Sequence, residues 1–258
     1  MVRARKRFGQ NFLIDDTVVQ RIVGRFNDAF TIVEIGPGQG ALTEGLLNTG
    51  AQVVALELDR DLMPLLQKKF AGYPNLQLQQ ADALKFDFGQ LADVAPIRLA
   101  GNLPYNVATP LIFNLLDHLP LIVDMHFMLQ WEVAARLTAN AGDKHYGQLS
   151  VVMQNLCTTT MLIEVPPQAF SPAPKVNSAV IKIQPREKSL VPEHLQQIFL
   201  SLVKASFAQR RKTLRNNLKG FATAEQLTAA GIDPSLRAEV IDIAEFHKLA
   251  EIVHQTES

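Results

Sequence analysis

The sequence has few of the features that would assign it at once to a specialised class. It contains one cysteine, Cys157, so it can form neither an internal disulfide nor a multi-cysteine zinc or iron–sulfur site. Its 25 Lys and Arg residues balance 25 Asp and Glu residues, so bulk charge gives no argument for a nucleic-acid partner. No signal-peptide pattern follows the basic N-terminus, and the longest uncharged stretches contain polar residues throughout. We therefore expect a soluble protein of the reducing cytoplasm, with no membrane partner.

The six histidines are scattered, and no two of them have the H-x-x-x-H spacing of a helical metal site. We therefore expect no metal. The 258 residues, 47% of them hydrophobic, are enough for one large domain with a small companion.

Strand-like and helix-like segments alternate along the first two thirds of the chain. Strands are predicted at 31–35, 52–58, 76–79, 97–100, 123–129, 150–157 and 179–184, and helices at 41–47, 62–70, 110–119 and 132–139. This alternation predicts an α/β fold with a mostly parallel, doubly wound sheet and helices on both faces. A short strand after Thr160 is expected to pair with the last of these strands.

The pattern changes after Pro185, where apolar residues recur at helical spacing and no convincing strand follows. We place a domain boundary near 186, so that residues 1–186 form the α/β domain and residues 187–258 a small helical domain. A turn at 231–234 is expected to begin another helix at Asp233 and Pro234.

The helical region contains a basic segment without acidic residues, between Glu193 and Glu225. Its six bases are Lys204, Arg210, Arg211, Lys212, Arg215 and Lys219. Their interleaving with apolar residues predicts one buried and one cationic helix face. An ordinary solvated helix face has the same pattern.

A glycine-rich segment, Glu-Ile-Gly-Pro-Gly-Gln-Gly at 34–40, connects the first strand of this sheet to a helix. Glycine lets a ligand approach the backbone closely, and a helix N-terminus offers free N–H donors. Glu57, at the end of the next strand, is placed to accept hydrogen bonds from ribose hydroxyls. The segment fits a dinucleotide site and an S-adenosylmethionine site equally well.

Two further segments follow strand ends. Asp82 comes after the third strand, where its carboxylate could accept from an adenine amino group, although an ordinary turn residue is as good an explanation. Asn-Leu-Pro-Tyr at 102–105 follows the fourth strand. The Asn102 oxygen and the Leu103 carbonyl could accept from the hydrogens of an adenine amino group, Pro104 stiffens the turn, and Tyr105 offers a face for the base. This segment resembles the signature of adenine and cytosine amino-methyltransferases.

Six blocks, taken together, resemble the bacterial ribosomal RNA small subunit adenine dimethyltransferases of the KsgA (RsmA) type. The blocks are 5–13, 34–40, 57–59, 102–105, 170–178 and 209–215. The resemblance implies a Rossmann-like S-adenosylmethionine methyltransferase domain with a small helical domain. It also implies dimethylation of two adjacent adenosines near the 3′ end of 16S rRNA, in the immature small subunit. We expect a monomer.

The resemblance assigns roles to particular positions. The catalytic set is Asn102, Leu103, Pro104, Tyr105 and Phe170, the last as a second stacking face for a flipped adenine. The cofactor-binding set is Asn11, Leu13, Gly36, Gly38, Glu57, Leu58, Asp82, Ala83 and Asn102. The RNA-binding set is Lys204, Arg210, Arg211, Lys212 and Arg215. Trp131 departs from the family, whose members usually carry a charged residue there; it is expected to lie outside the cofactor site.

Other functions remain open at this point. A 23S rRNA adenine methyltransferase of the macrolide-resistance type resembles the same motifs. A non-catalytic RNA-binding assembly factor could retain the fold, although an intact 102–105 segment argues against that. A DNA adenine methyltransferase would need a further domain for reading the major groove, and a nicotinamide oxidoreductase has no use for Asn-Leu-Pro-Tyr.

Overall fold

A computed structural model describes residues 10–26, 30–105 and 107–257 of the protein. The chain divides into two compact units. The first comprises Met1–Ala134 with Thr160–Pro185, and the second comprises Ala135–Thr159 with Arg186–Ser258.

A parallel sheet organises the first unit. The strands of the described residues are β1 (Phe12–Leu13), β2 (Thr31–Ile35), β3 (Val53–Glu57), β4 (Leu76–Gln80), β5 (Ile97–Asn102), β6 (Ile122–Gln130), β7 (Cys157–Val165), β8 (Phe170–Ser171) and β9 (Ser178–Pro185). Seven of them form one sheet in the order β4-β3-β2-β5-β6-β9-β7, and β1 pairs with β8 in a separate two-stranded sheet. Strands β2 to β6 run parallel, and β9 runs antiparallel to β6.

The strand order places a topological switch point at the centre of the sheet. From β2 the chain moves outward through β3 and β4, then returns to β5 on the other side of β2. In open α/β sheets, ligands bind at the carboxyl ends of the strands where the order reverses. The ends of β2 and β5 are Ile35 and Asn102, so the glycine-rich segment and the Asn-Leu-Pro-Tyr segment both begin at this point.

Helices cover the sheet and form the second unit. They are α1 (Asp16–Val23), α2 (Ala41–Asn48), α3 (Met63–Lys69), α4 (Ala108–Leu115), α5 (Trp131–Thr138), α6 (Gln148–Leu156), α7 (Gln196–Ser206), α8 (Leu214–Asn217), α9 (Ala224–Ala229) and α10 (Ile243–Glu257). The buried side chains of α2 recur as Leu42, Thr43, Leu46 and Leu47, which is the stripe of an amphipathic helix on a sheet. Within the described residues, no helix combines the length and the apolar character needed to cross a bilayer.

The expected α/β fold with a helical C-terminal region is confirmed, but the predicted strand at 150–157 is wrong. Residues 150–156 belong to α6, which begins after Gly147, and Cys157 begins β7; the Gly147 N–H donates to Ser150 Oγ at 3.1 Å. Val151 and Val152 gave the segment a strand-like composition. Their burial together with Asn155, four residues after Val151, is the spacing of a helix face.

The second unit is larger than the expected helical domain of residues 187–258. The chain re-enters this unit at Arg186, and residues 135–159 belong to it as well. Tyr146 and Val151 pack in the same apolar cluster as Phe199 and Phe246, and the Tyr146 hydroxyl donates to the Ile241 carbonyl at 2.9 Å. The sequence pattern could not reveal that residues 135–159 belong to the second unit, because the chain returns to the first unit at Thr160 and leaves it again only after Pro185.

The expected helix start at Asp233 is also wrong. Residues 233–236 form a turn, in which the Ser235 N–H donates to Asp233 Oδ1 at 2.8 Å. An Asp followed by Pro starts turns as readily as helices, because the aspartate oxygen can satisfy a backbone donor in either.

Candidate active site

A cavity of about 310 Å³ opens at the carboxyl ends of β2 to β5. Its walls include every residue of the predicted cofactor-binding set and four of the five predicted catalytic residues: Asn11, Leu13, Gly36, Gly38, Glu57, Leu58, Asp82, Ala83, Asn102, Leu103, Pro104 and Tyr105. The first unit therefore brings together residues that lie up to 94 positions apart in sequence, the separation of Asn11 and Tyr105. Trp131 is not among the lining residues, as expected.

The glycine-rich turn needs its glycines for their backbone conformation. Gly36, Gly38 and Gly40 have φ angles of 69°, 60° and 79°, in the left-handed region that other residues rarely adopt. A Cβ on Gly40 would also lie 2.6 Å from the ring of Phe70. A Cβ on Gly36, by contrast, would meet nothing within 4 Å, so the turn presents bare backbone to open cavity space at this position.

Glu57 ends β3 and holds two loops of the cavity wall. Its Oε2 accepts from the Gly38 N–H at 3.1 Å, and its Oε1 accepts from the Asp59 N–H at 2.8 Å. Burial raises the pKa of the Glu57 carboxyl, and these two N–H donors act in the opposite direction. Each carboxylate oxygen can accept a further hydrogen bond, so the residue can still receive a diol from the cavity.

Glu34 is a second buried carboxylate on this wall, and the sequence argument gave it no role of its own. Thr43 Oγ1 donates to Glu34 Oε2 at 2.6 Å. Burial raises the pKa of Glu34 from 4.5 to about 7, although the Thr43 hydrogen bond lowers it. The acidic first position of the motif signalled a polar group, but no sequence pattern reports the depth of its burial.

The Asn102 amide has a fixed orientation. Its Nδ2 donates to the Asn11 carbonyl at 2.8 Å, and only the amide nitrogen can make this bond to a carbonyl oxygen. Oδ1 is therefore the atom available as an acceptor. Nearby, the Leu103 N–H donates to the Met128 carbonyl at 3.1 Å, and the Tyr105 hydroxyl lies 3.0 Å from Ser178 Oγ. These bonds position the whole Asn-Leu-Pro-Tyr turn.

The N-terminal segment forms one side of the cavity. Gln10 Nε2 donates to Asp59 Oδ2 at 3.1 Å, and Phe12 and Leu13 pair with Ser171 and Phe170. The sequence did not predict this pairing of β1 with β8, because each strand has only two residues. The remainder of the first sequence block, residues 5–9, lies outside the described residues.

The other carboxylate of the predicted set, Asp82, lies in the turn after β4. Its Oδ1 accepts from the Leu84 N–H at 3.1 Å, which is the ordinary turn interaction, and the residue also lines the cavity. Leu58, 48% exposed, presents an apolar surface on the same wall. A carboxylate and an exposed leucine flanking one cavity suit the edge and the face of a purine.

The comparisons with known proteins agree with this geometry. The family described as ribosomal RNA adenine dimethylase matches residues 1–255. The chain belongs to the ribosomal RNA adenine dimethylase family. It is 50% identical over 256 residues to the ribosomal RNA small subunit methyltransferase A of Pseudomonas syringae pv. syringae strain B728a, covering 98% of this chain and 96% of the relative.

Two crystal structures resemble this adenine dimethylase. A dimethyladenosine transferase from Plasmodium falciparum has a TM-score of 0.80 and 26% identity, covering 95% of this chain and 98% of that one. The 23S rRNA methyltransferase ErmE has a TM-score of 0.79 and 25% identity, covering 95% of this chain and 100% of that one. These comparisons confirm the methyltransferase fold and rule out a nicotinamide oxidoreductase.

Phe170 is the one predicted catalytic residue of the adenine dimethylase that does not line the cavity. It is 4% exposed and packs in the apolar cluster that includes Phe12, Leu13 and Met128. Its proposed contact with a flipped base stays a prediction, and in the structure it is a buried neighbour of the cavity wall.

The predicted RNA-binding residues lie in the second unit of the dimethylase, and all five are exposed. They do not share one helix face, because α7 ends at Ser206 and the bases at 210–212 lie in a turn. Arg210 donates to Glu239 Oε1 and to the Lys144 carbonyl, so it also stabilises its own unit. The segment as a whole, 204–219, presents its bases to solvent on α7, the turn after it, α8 and the turn that follows α8.

Proposed function

We propose that this protein dimethylates two adjacent adenosines near the 3′ end of 16S rRNA, using S-adenosylmethionine and acting on the immature small ribosomal subunit. The observation that carries the proposal is the Asn102 amide, whose bond to Asn11 leaves Oδ1 as an acceptor at the end of β5. The family and the 50% identity to a small subunit methyltransferase support it. Such an enzyme works in the bacterial cytoplasm, and we expect it to act as a monomer.

The cavity fits S-adenosylmethionine by the chemistry of its walls. The bare backbone at Gly36 leaves room for the amino acid part, Glu57 can accept from the ribose hydroxyls, and Asp82 with Leu58 can hold the adenine. When bound, this cofactor supplies an electrophilic methyl group on a sulfonium. Asn11 and Leu13 cover the same cavity from the N-terminal segment.

The Asn-Leu-Pro-Tyr turn prepares the acceptor nitrogen. An adenine amino group is a poor nucleophile because its lone pair is delocalised into the ring. Asn102 Oδ1 and the Leu103 carbonyl, each accepting one of its hydrogens, localise that lone pair on the nitrogen. Tyr105 offers a stacking face for the base, and its hydroxyl is held by Ser178. Catalysis then comes from positioning and polarisation, with no covalent enzyme intermediate.

Proton removal needs no dedicated base. The methylated nitrogen is an acidic ammonium, and it loses its proton to water. Since the same nitrogen accepts a second methyl group, the space beside Asn102 must admit a monomethylated amine. The exposed bases at 204–219 bind the RNA backbone, which gives affinity that falls with salt and does not depend on sequence.

Methyl transfer from labelled S-adenosylmethionine to unmodified small subunits tests the proposal, with large subunits and DNA in parallel. After digestion, mass spectrometry identifies the labelled nucleosides. Dimethyladenosine from the small subunit alone is the expected result. Label in the large subunit would instead favour a 23S rRNA methyltransferase, the activity named for the similar ErmE structure. Intact RNA binding with no label would indicate an assembly factor without catalysis.

A further inference from the structure

A second cavity, of about 330 Å³, lies in the first unit outside the one already described. It is lined by five residues from two segments: Gln130, Trp131, Glu132, Val176 and Asn177. The first three end β6 and begin α5, and the last two precede β9. None of them lines the cofactor cavity.

Strand pairing brings this flanking cavity close to the Asn-Leu-Pro-Tyr turn. Met128 pairs with Asn102, and Gln130 lies two residues farther along β6, a displacement of about 6.6 Å at about 3.3 Å per residue. Gln130 in turn pairs with Ser178, whose hydroxyl contacts that of Tyr105. One lining residue of the flanking cavity is therefore the strand partner of the serine that contacts Tyr105.

The indole of Trp131 is held in a defined position on this wall. Trp131 Nε1 lies 3.3 Å from Glu164 Oε1, to which it donates, and the Trp131 backbone N–H donates to the Asn177 carbonyl at 3.0 Å. The residue is half-buried, and Val176 beside it is 45% exposed. An ordered indole next to an exposed aliphatic group is a surface on which a planar base stacks at little entropic cost.

The polar groups of the flanking cavity suit a base and disfavour a phosphate. Gln130 and Asn177 carry amides, which both donate and accept, and Glu132 carries a carboxylate, which accepts from amino groups. None of the five lining residues is basic. Two carboxylates, Glu132 and Glu164, would repel an anionic ligand.

We propose that the flanking cavity binds the base of a nucleotide adjacent to the target adenosine, with Trp131 as its stacking surface. This inference rests on the proposed function, because it needs an RNA strand whose target base lies on Tyr105. It makes Trp131 a residue that contributes to substrate affinity and leaves the methyl transfer step to Asn102.

The kinetic test compares four proteins on unmodified small subunits: the natural chain, Trp131→Leu, Trp131→Phe and the control Phe113→Leu. Phe113 is another exposed aromatic residue of the first unit, on α4 and outside both cavities. Trp131→Leu should raise the KM for subunits about tenfold with kcat and the cofactor KM unchanged, since stacking is lost. Trp131→Phe should restore most of the affinity, and Phe113→Leu should behave as the natural chain.

A spectroscopic test on the natural chain avoids any effect of substitution on folding. Trp131 is the only tryptophan, so all indole emission reports this position. A single-stranded RNA hexamer with a central adenosine should quench that emission, and hexamers with abasic positions on both sides of the adenosine should not. Unchanged emission at saturating hexamer, or an unchanged KM in Trp131→Leu, would overturn the subsite. If the natural chain methylates no substrate at all, the proposed function fails instead.

Discussion

The first unit's sheet has a carboxyl edge, where its parallel strands end, and an opposite edge, where they begin. Both edges bury carboxylates, but the carboxylates accept hydrogen bonds from different kinds of donor. At the carboxyl edge, Glu34 and Glu57 receive hydrogen bonds from a hydroxyl and from backbone N–H groups. Near the opposite edge, Asp124 faces the Arg98 guanidinium, with Nε to Oδ1 at 2.8 Å and Nη2 to Oδ2 at 2.9 Å. The first arrangement keeps acceptors available for a ligand, whereas the second satisfies its acceptors within the fold.

The pKa values of these carboxyls follow the same division. Burial raises the pKa of Glu34 to about 7 and raises that of Glu57. Burial would raise the pKa of Asp124 too, but hydrogen bonds and charges from His126 and Arg98 hold it well below its usual range. At the carboxyl edge, hydrogen bonds only partly offset the cost of burying Glu34 and Glu57. At the opposite edge, Arg98 and His126 more than offset the cost of burying Asp124, so that edge retains stability that the binding edge gives up.

Removing Arg98 should have the largest effect on stability. Arg98→Met leaves Asp124, 3% exposed, without its bidentate partner, so that its remaining contacts are His126 Nε2 at 3.3 Å and the half-exposed Lys182 at 3.5 Å. We expect a loss of about 3–5 kcal/mol in the free energy of unfolding, measured by urea titration at pH 7. The cofactor KM of the folded fraction should not change. A loss below about 1 kcal/mol would remove the distinction between the edges.

Removing the Asn102 side chain should have the largest effect on turnover. Asn102→Ala deletes the acceptor aimed at the amino group. We expect kcat to fall about 10²–10³-fold, the loss seen when one hydrogen-bonding group that stabilises a transition state is removed from an enzyme active site. The affinity for RNA should fall little, because phosphate contacts lie elsewhere. Single-turnover assays with filter binding separate the two quantities. Near-full activity would reject the mechanism.

Neutralising Glu34 should stabilise the protein in a pH-dependent way. The folded state holds a proton on Glu34 that the unfolded state releases above about pH 4.5, so stability falls as pH rises from 4.5 to about 7. Glu34→Gln keeps an acceptor for Thr43 and removes this loss. The difference in unfolding free energy between variant and natural chain should become more favourable to the variant by about 1–3 kcal/mol between pH 5 and pH 8. An equal difference at both pH values would contradict the raised pKa.

The smallest expected effect is at Glu57. Glu57→Gln keeps an oxygen acceptor but places an amide nitrogen near a backbone N–H donor, so it should weaken cofactor binding about tenfold in KM. Glu57→Ala should raise the KM further. Asp61→Asn, an exposed change on the next loop, serves as the control. An unchanged cofactor KM in Glu57→Ala would remove the ribose role.

The sequence predicted which segments line the first cavity better than it predicted the second unit, for a physical reason. The glycine-rich turn and the Asn-Leu-Pro-Tyr turn follow strands whose order fixes where their ends meet, so local patterns were sufficient. Helix α6 and the two-residue β1–β8 pairing depend on contacts far apart in sequence, which local patterns do not contain. The prediction of a single cationic helix face was wrong, because the helical spacing of apolar residues persists across the turn at 207–213.

The pairing of Phe12 with Ser171 has a consequence for synthesis of the chain. The wall of the cofactor cavity that carries Asn11 is joined to a strand made about 160 residues later, so its closure requires a contact of high sequence separation. A nascent chain that has completed β2 to β6 contains the glycine-rich turn and the Asn-Leu-Pro-Tyr turn. It does not yet contain β8, the strand that pairs with β1 beside Asn11. We therefore expect competence to bind the cofactor to arise late in translation, once residue 171 has left the ribosome, the very particle whose RNA the protein modifies.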